Sequence, residues 1–84
     1  MSDKKILYRT SDIYFSAFLM AIDINFIDME DSKNEKGQAK KMFVFSIPDK
    51  EVGRLKRLFF GGAGTVRARR FVDELKTLKS MLHT

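Results

Sequence analysis

The chain has 84 residues, no cysteine and a formal net charge of +5 at pH 7. This length fits one small domain, here residues 1–84, and the absence of cysteine excludes disulfides, thiolate nucleophiles and cysteine zinc sites. The longest run without a charge, residues 13–22, has ten residues, about half of what a membrane-spanning helix needs. We therefore expect a cytoplasmic protein without a membrane partner, with residues 1–4 and 83–84 frayed at its ends.

The N-terminal part of the chain predicts a short strand followed by a helix. Residues 5–8 are extended in character and form a candidate edge strand. A helix over residues 11–21 follows, because Thr10 and Ser11 supply capping hydroxyls and Asp12 supplies a carboxylate for the first turn. The expected apolar side of this helix consists of Tyr14, Ala17, Phe18 and Ala21.

Residues 24–30 and 41–47 read as two strands of a β-hairpin, separated by the polar run 31–40 with its Gly37. Strict alternation divides their side chains between two faces. One side of the second strand carries Phe43, Phe45 and Ile47, and its other side carries Met42 and Val44. In the first strand, Ile24 and Phe26 oppose Asn25, Ile27 and Met29. Helices must cover one apolar face, and the other needs a helix, the N-terminal segment or another chain, which makes a homodimer one expected partner.

The C-terminal part predicts two helices joined by glycines. Residues 49–60 form the first, with Asp49 as its cap and Gly61 at its end, and its inner side carries Val52, Leu55 and Phe59. Residues 65–82 form the second, capped by Thr65. Its apolar face is formed by Ala68, Phe71, Val72, Leu75, Leu78 and Leu82. The fold class is thus α+β, an antiparallel hairpin packed by three helices in the order α-β-β-α-α, with a third strand in front if residues 5–8 join the sheet.

Few residues suit catalysis or metal binding, so we expect no enzyme, no cofactor and no metal. The only histidine, His83, lies near the C-terminus, and no serine has a Gly-x-Ser-x-Gly context. Carboxylates cluster around the hairpin loop, and they are Asp28, Glu30, Asp31 and Glu35. A calcium loop that starts at Asp28 would need Gly and Glu where the chain has Lys33 and Ala39, so a solvated hairpin tip is the favoured interpretation.

Residues 61–64, Gly-Gly-Ala-Gly, stand before the last helix and have the outline of a phosphate cradle. No Gly-Lys-Ser/Thr follows them, and no strand precedes them. A helix C-cap followed by a helix-to-helix turn is the favoured interpretation.

All of the excess positive charge lies in residues 51–84, which carry eight basic and three acidic groups, whereas residues 1–50 carry eight of each. The candidate polyanion-binding residues in this half are Arg54, Lys56, Arg57, Arg67, Arg69 and Arg70. Three of these arginines crowd the start of the last helix, where the helix dipole disfavours cations. The pattern predicts a nucleic acid or an acidic protein as partner. The alternative is a solvated basic face with pairs such as Arg69–Asp73 and Arg70–Glu74.

The spacing of core and cap residues resembles a known family of small proteins. The pattern is Tyr8-x-Thr10-x-Asp12-x-Tyr14-x-x-x-Phe18-Leu19, Phe43-Val44-Phe45, Phe60-Gly61 and Val66-x-Ala68-x-x-Phe71-x-x-x-Leu75-x-x-Leu78-Lys79. It is similar to a domain of unknown function found in short bacterial and phage-associated proteins. The resemblance supports the order of elements and a prokaryotic, cytoplasmic setting, and it carries over no catalytic residue. It also implies a glycine after the first helix, where this chain has Asp23, so the turn is expected to differ.

Overall fold

The computed structural model describes residues 4–62 and 64–82, and the elements follow the order β-α-β-β-α-α. Their bounds are β1 Lys5–Thr10, α1 Ile13–Ala21, β2 Asn25–Lys33, β3 Ala39–Pro48, α2 Asp49–Phe60 and α3 Ala68–Leu82. The α+β prediction is confirmed, and the N-terminal segment joins the sheet as a third strand. The expected fraying at residues 1–4 and 83–84 falls outside the described residues except at Lys4.

The three strands form one antiparallel sheet in the order β1-β3-β2, so β3 is the central strand. The inner side of β3 is as predicted, because Phe43, Phe45 and Ile47 are buried in the core. In β1, the residues opposite these three are Thr10, Tyr8 and Ile6. All three helices contribute side chains to the core on this side of the sheet. α1 and α2 contact the strands, and α3 packs mainly against α1.

The alternation predicted for the first hairpin strand is wrong after Phe26, because β2 contains a β-bulge. Phe26 lies opposite Phe45, and Met29 lies opposite Phe43, so three steps along β2 match two steps along β3. The extra residue brings Met29 to the face of Phe26, where it packs against the core, and leaves Ile27 exposed. A bulge changes the register without changing the composition of the strand, so strict alternation does not detect it.

Both hairpin strands extend further into the polar run than predicted, which leaves residues 34–38 as the turn. The Asn34 side chain accepts hydrogen bonds from two amides of the turn, each at 2.9 Å. Gly37 adopts the left-handed conformation, with φ 77°. An ion pair between Asp31 and Lys41 joins the extended ends across the strands.

Most side chains of α1 are buried, because the helix packs against both β2 and α3. Asp12 is the N-cap of α1 rather than a first-turn residue, and its side chain accepts hydrogen bonds from the amides of Tyr14 and Phe15 at 2.9 and 3.1 Å. The predicted apolar side is wrong at Tyr14, which is exposed, while Phe15 and Leu19 are buried. The largest fully buried apolar side chains of the core are Phe15, Phe43, Phe45, Leu19, Ile47 and Leu78.

The start of α2 differs from the prediction, because Asp49 lies inside the helix rather than at its cap. The cap residue is Pro48, which makes no side-chain hydrogen bond. The Asp49 amide instead donates a 2.8 Å hydrogen bond to the Lys4 carbonyl, so the backbone just before β1 satisfies this helix end. The predicted inner face is confirmed, because core contacts are made by Val52, Leu55 and Phe59.

The start of α3 also differs, because the helix begins at Ala68 and Thr65 does not cap it. The Phe71 amide donates to the Arg67 carbonyl at 3.0 Å, which places the first helical hydrogen bond there. The Gly64 amide is still hydrogen bonded to the Leu58 carbonyl of α2. Residues 65–67 therefore form the connection to α3 and are not part of the helix.

The predicted apolar face of α3 is confirmed for four of its six residues, which are Phe71, Leu75, Leu78 and Leu82. Val72 is 45% exposed, and Ala68 is also exposed, so these two assignments are wrong. At 100° per residue, Val72 lies about 120° around the helix from Leu78, outside the face that the longer side chains occupy.

Candidate polyanion-binding surface

Half of the six basic residues predicted to bind a polyanion already have partners within the protein. Arg54 forms an ion pair with Glu51, with 2.6 Å between Nε and Oε2. The ammonium of Lys56 lies 5.0 Å above the centre of the Tyr8 ring, in a cation–π contact. Arg70 is the third, and it reaches from α3 to the end of α1.

Arg70 stabilises the turn that follows α1. Its Nη2 donates to Asp23 Oδ1 at 2.5 Å and to the Met20 carbonyl at 3.1 Å. The amides of Asp23 and Ile24 donate to the carbonyls of Met20 and Leu19, which is the Schellman pattern of a helix C-terminus. Asp23 has φ 66°, the left-handed conformation that glycine adopts most easily. The turn thus keeps a glycine-type conformation, and the aspartate that occupies it gains an ion pair.

Arg70 lies near the ends of two helices, whose dipoles act on its positive charge in opposite directions. A cation in the first turn of its own helix is unfavourable, but the same guanidinium lies at the C-terminal end of α1, where carbonyls carry partial negative charge. That end of α1 has no basic residue of its own. The hydrogen bond and the charge of Arg70 lower the pKa of the Asp23 carboxyl, and the hydrogen bond to Asp23 raises the pKa of Arg70.

The other three arginines, Arg57, Arg67 and Arg69, are exposed. Across residues 4–62 and 64–82, none of the three forms an ion pair or a side-chain hydrogen bond. The expected pair between Arg69 and Asp73 does not form among these residues. Arg70 hydrogen bonds to Asp23 rather than to Glu74, whose charge still acts on it from a distance. We call Arg57, Arg67 and Arg69 the free arginines.

The structure brings only part of the predicted basic set together. Arg67 and Arg69 line one shallow concavity at the start of α3, together with Arg70, Asp73 and Glu74. The remaining free arginine, Arg57, lies on the exposed side of α2. The free arginines therefore lie on two segments of the chain, one before and one after the connection between α2 and α3.

The described glycines of the connection between α2 and α3 do not form a phosphate cradle. The amides of Gly61, Gly62 and Gly64 donate to carbonyls in the last turn of α2, at distances from 2.8 to 3.3 Å. These amides are therefore already used, and Gly61 is the C-cap of α2, as the favoured interpretation predicted. The remaining residue of this segment, Ala63, lies outside the described residues.

A family model described as Domain of unknown function (DUF5659) matches residues 5–84 of the chain. The chain belongs to the DUF5659 family. The match runs from the first residue of β1 past the end of α3, so it covers every element of the fold. It confirms the resemblance drawn from core and cap residues, while the bacterial or phage origin stays a prediction. No curated protein and no solved structure gives a significant match to the chain.

One feature of this DUF5659 domain that sequence reasoning missed is Phe60, which is 64% exposed at the end of α2. Its ring lies 5.0 Å from that of Phe59 and 5.6 Å from that of Phe15, centre to centre. The sequence contains a signal for it, because neighbouring residues on a helix point about 100° apart and Phe59 already faces the core.

The sheet face opposite the helices is a second candidate surface of the DUF5659 domain. It carries apolar side chains, as predicted, and Leu7 on β1 is 54% exposed. Val44 of the central strand is buried there, between Arg9 of β1 and Asp28 of β2 in the register. Arg9 forms a 2.8 Å ion pair with Glu30 across β3, and this hydrogen bond raises the pKa of Arg9.

The described residues contain no group of three or more His, Asp or Glu side chains that could hold a metal ion. The carboxylates near the hairpin loop are partly engaged, since Glu30 and Asp31 form ion pairs. His83, the only histidine, lies outside the residues that the structure describes. No helix in the described ranges is long and apolar enough to cross a membrane.

Proposed function

We propose that this DUF5659 domain is a polyanion-binding module that contacts nucleic-acid phosphates through the free arginines and catalyses no reaction. The observation that carries the proposal is that the arginines near the start of α3 differ in their internal partners. Arg70 is accounted for by its contacts with the end of α1, whereas Arg67 and Arg69 have no internal partner in the described chain. They occupy positions that the helix dipole disfavours, so their charge is available to an external anion.

The chemistry of these residues supports phosphate contact rather than the reading of base sequence. Guanidinium groups match phosphate oxygens with two donors at once, and they stay charged at any physiological pH. The free arginines lie in the half of the chain that carries the excess positive charge. A surface of this kind holds the backbone of nucleic acid with little preference among sequences.

The salt dependence of binding follows from the number of arginines. Three phosphate contacts predict a log–log salt slope of about −2.7 for a duplex and about −2.1 for a single strand, because each neutralised phosphate releases bound counterions. Arg54, Lys56 and Arg70 retain their internal partners in this scheme. The slope should therefore stay close to the value expected for three contacts and should not reach that of six.

Fluorescence anisotropy with labelled single- and double-stranded DNA and RNA tests the proposal. We expect replacement of all three free arginines by Ala to weaken binding of every probe and to flatten the salt slope. The matched control replaces Lys33, Lys36 and Lys40 by Ala, which removes the same charge from the exposed hairpin end. This control should keep most of the affinity and the slope. Anisotropy that stays flat up to about 100 μM protein would reject the proposal, since ordinary non-specific binding is tighter.

Self-association through the open sheet face is a second candidate function. The exposed Leu7 on β1 favours it, because its side chain lies on the face opposite the helices, where Val44 of β3 adds a further apolar residue, and exposed apolar surface of this kind marks interaction sites. Sedimentation equilibrium at tens of micromolar should then show a dimer of the 9.7 kDa chain. The variant Leu7→Arg should return it to a monomer, and a wild-type monomer at these concentrations would remove this candidate.

A further inference from the structure

The outer side of α2 combines cations with an exposed aromatic ring on a single face. Gly53, Lys56, Arg57 and Phe60 are spaced i, i+3, i+4 and i+7, so they lie one above another along the helix. All four are exposed; Gly53, Arg57 and Phe60 point away from the buried Leu55, and Lys56 lies on the flank that meets Tyr8 of β1. One helical turn, about 5 Å, separates the Phe60 ring position from the two cations.

The ring and one of its cations are held in place before any ligand arrives. Phe60 packs at an angle of 31° against Phe15 and edge-on against Phe59, while 64% of the residue remains exposed. Lys56 is held above the Tyr8 ring. An anchored ring loses little conformational freedom when a planar group stacks on it, which favours binding.

Gly53 gives the Arg57 side chain room on the same face. Glycine inside a helix costs stability relative to alanine. A Cβ at this position would lie 3.5 Å from Nη1 of Arg57, an ordinary contact distance. The Arg57 guanidinium therefore lies beside the backbone at Gly53, one helical turn before its own position.

We infer that this face of α2 binds single-stranded nucleic acid, with one base stacked on Phe60 and a neighbouring phosphate on Arg57, while Lys56 keeps its contact with the Tyr8 ring. The inference rests on the proposed function and adds the class of nucleic acid to it. Bases of a duplex are stacked on one another and offer no free face to a phenyl ring, whereas those of a single strand do. A lipid surface fits less well, since membrane-binding helices present a broad apolar face and here Phe60 is the only large apolar residue among charges.

The chain has no tryptophan, so the variant Phe60→Trp introduces one fluorophore at the site. A 12-residue oligothymidylate should quench this indole by stacking, and a duplex of the same length should not. The matched control is Ile27→Trp, at a position on β2 that is also exposed and that no proposed phosphate contact adjoins, and its emission should stay unchanged. The vesicle arm uses an equimolar mixture of phosphatidylserine and phosphatidylcholine.

The second variant, Phe60→Leu, keeps an apolar side chain against the core and removes the stacking face. It should weaken binding of the oligothymidylate at least fivefold, or about 1 kcal/mol, and leave duplex binding unchanged. Duplex and single strand bound equally by the wild type, with no quenching of Phe60→Trp, would overturn the inference while the proposed function stands. A blue shift of Phe60→Trp on vesicles without quenching by the oligonucleotide would overturn it in favour of a lipid surface. If the wild type binds neither nucleic acid, the proposed function itself fails.

Discussion

Replacement of Leu78 by Ala tests whether α3 is fixed to the core by the face that the structure assigns. Leu78 is fully buried within the core cluster, so we expect its truncation to cost about 3–5 kcal/mol, the upper part of the range for buried leucine. Phe71 and Leu75 are only partly buried, so their Ala variants should lose less. An 84-residue chain has about 4–13 kcal/mol of stability in total, so the Leu78→Ala variant should lose at least about a quarter of it.

Val72→Ala is the matched control for this substitution, because Val72 lies on the exposed side of the same helix. It should change the free energy of unfolding by less than about 0.5 kcal/mol. Urea denaturation followed by circular dichroism at 222 nm measures both variants, and an unchanged m-value would show that the comparison is valid. On heating, Leu78→Ala should melt at least about 12 °C below the wild type. A loss under about 1 kcal/mol at Leu78, or an equal loss at Val72, would refute the assigned face.

Two further substitutions test local features by the same denaturation assay. Gly53→Ala should stabilise the protein by about 0.5–1 kcal/mol, because the added methyl has room and the helix gains a better former; a loss of stability would mean that the position is more crowded than the structure shows. Asp23→Asn should be less stable than the wild type at pH 7. The pKa of Asp23 is lowered by Arg70, so their ion pair stabilises the folded state at pH values above the ordinary Asp pKa of about 3.9. That contribution is lost as acid protonates the folded carboxyl, so the two proteins should converge at low pH and in high salt, and a gap that persists in acid would show that the ion pair is not its cause.

The sequence was sufficient for the order of elements, because apolar periodicity and local caps both indicate them. Leu55 and Leu78 were placed in the core correctly, since each lies in the middle of an apolar stripe. The errors occur where tertiary contacts replace local signals. Asp49 has the chemistry of a cap, but the backbone at Lys4 already satisfies that helix end. Ile27 sits in a bulge, which alternation cannot reveal.

The candidate surface was predictable as a set of residues and not as an arrangement. The sequence identifies every arginine, but the separation of Arg70 from Arg67 and Arg69 depends on a contact with Asp23, 47 residues away. No local pattern predicts such a contact. Phe60 could have been found from its neighbour Phe59, since adjacent residues on a helix point about 100° apart and Phe59 belongs to the predicted inner side of α2.

The backbone amide shifts of ¹⁵N-labelled protein, titrated with a short oligothymidylate, test most directly where nucleic acid binds. We predict the largest shift changes in residues 53–61 and 64–70, around the free arginines and Phe60, and little change in the hairpin turn at residues 34–38. Changes concentrated on the open sheet face around Leu7 and Val44, or no changes with protein and oligonucleotide at about 1 mM, well above the usual non-specific Kd, would contradict a polyanion-binding role for the arginines of α2 and α3.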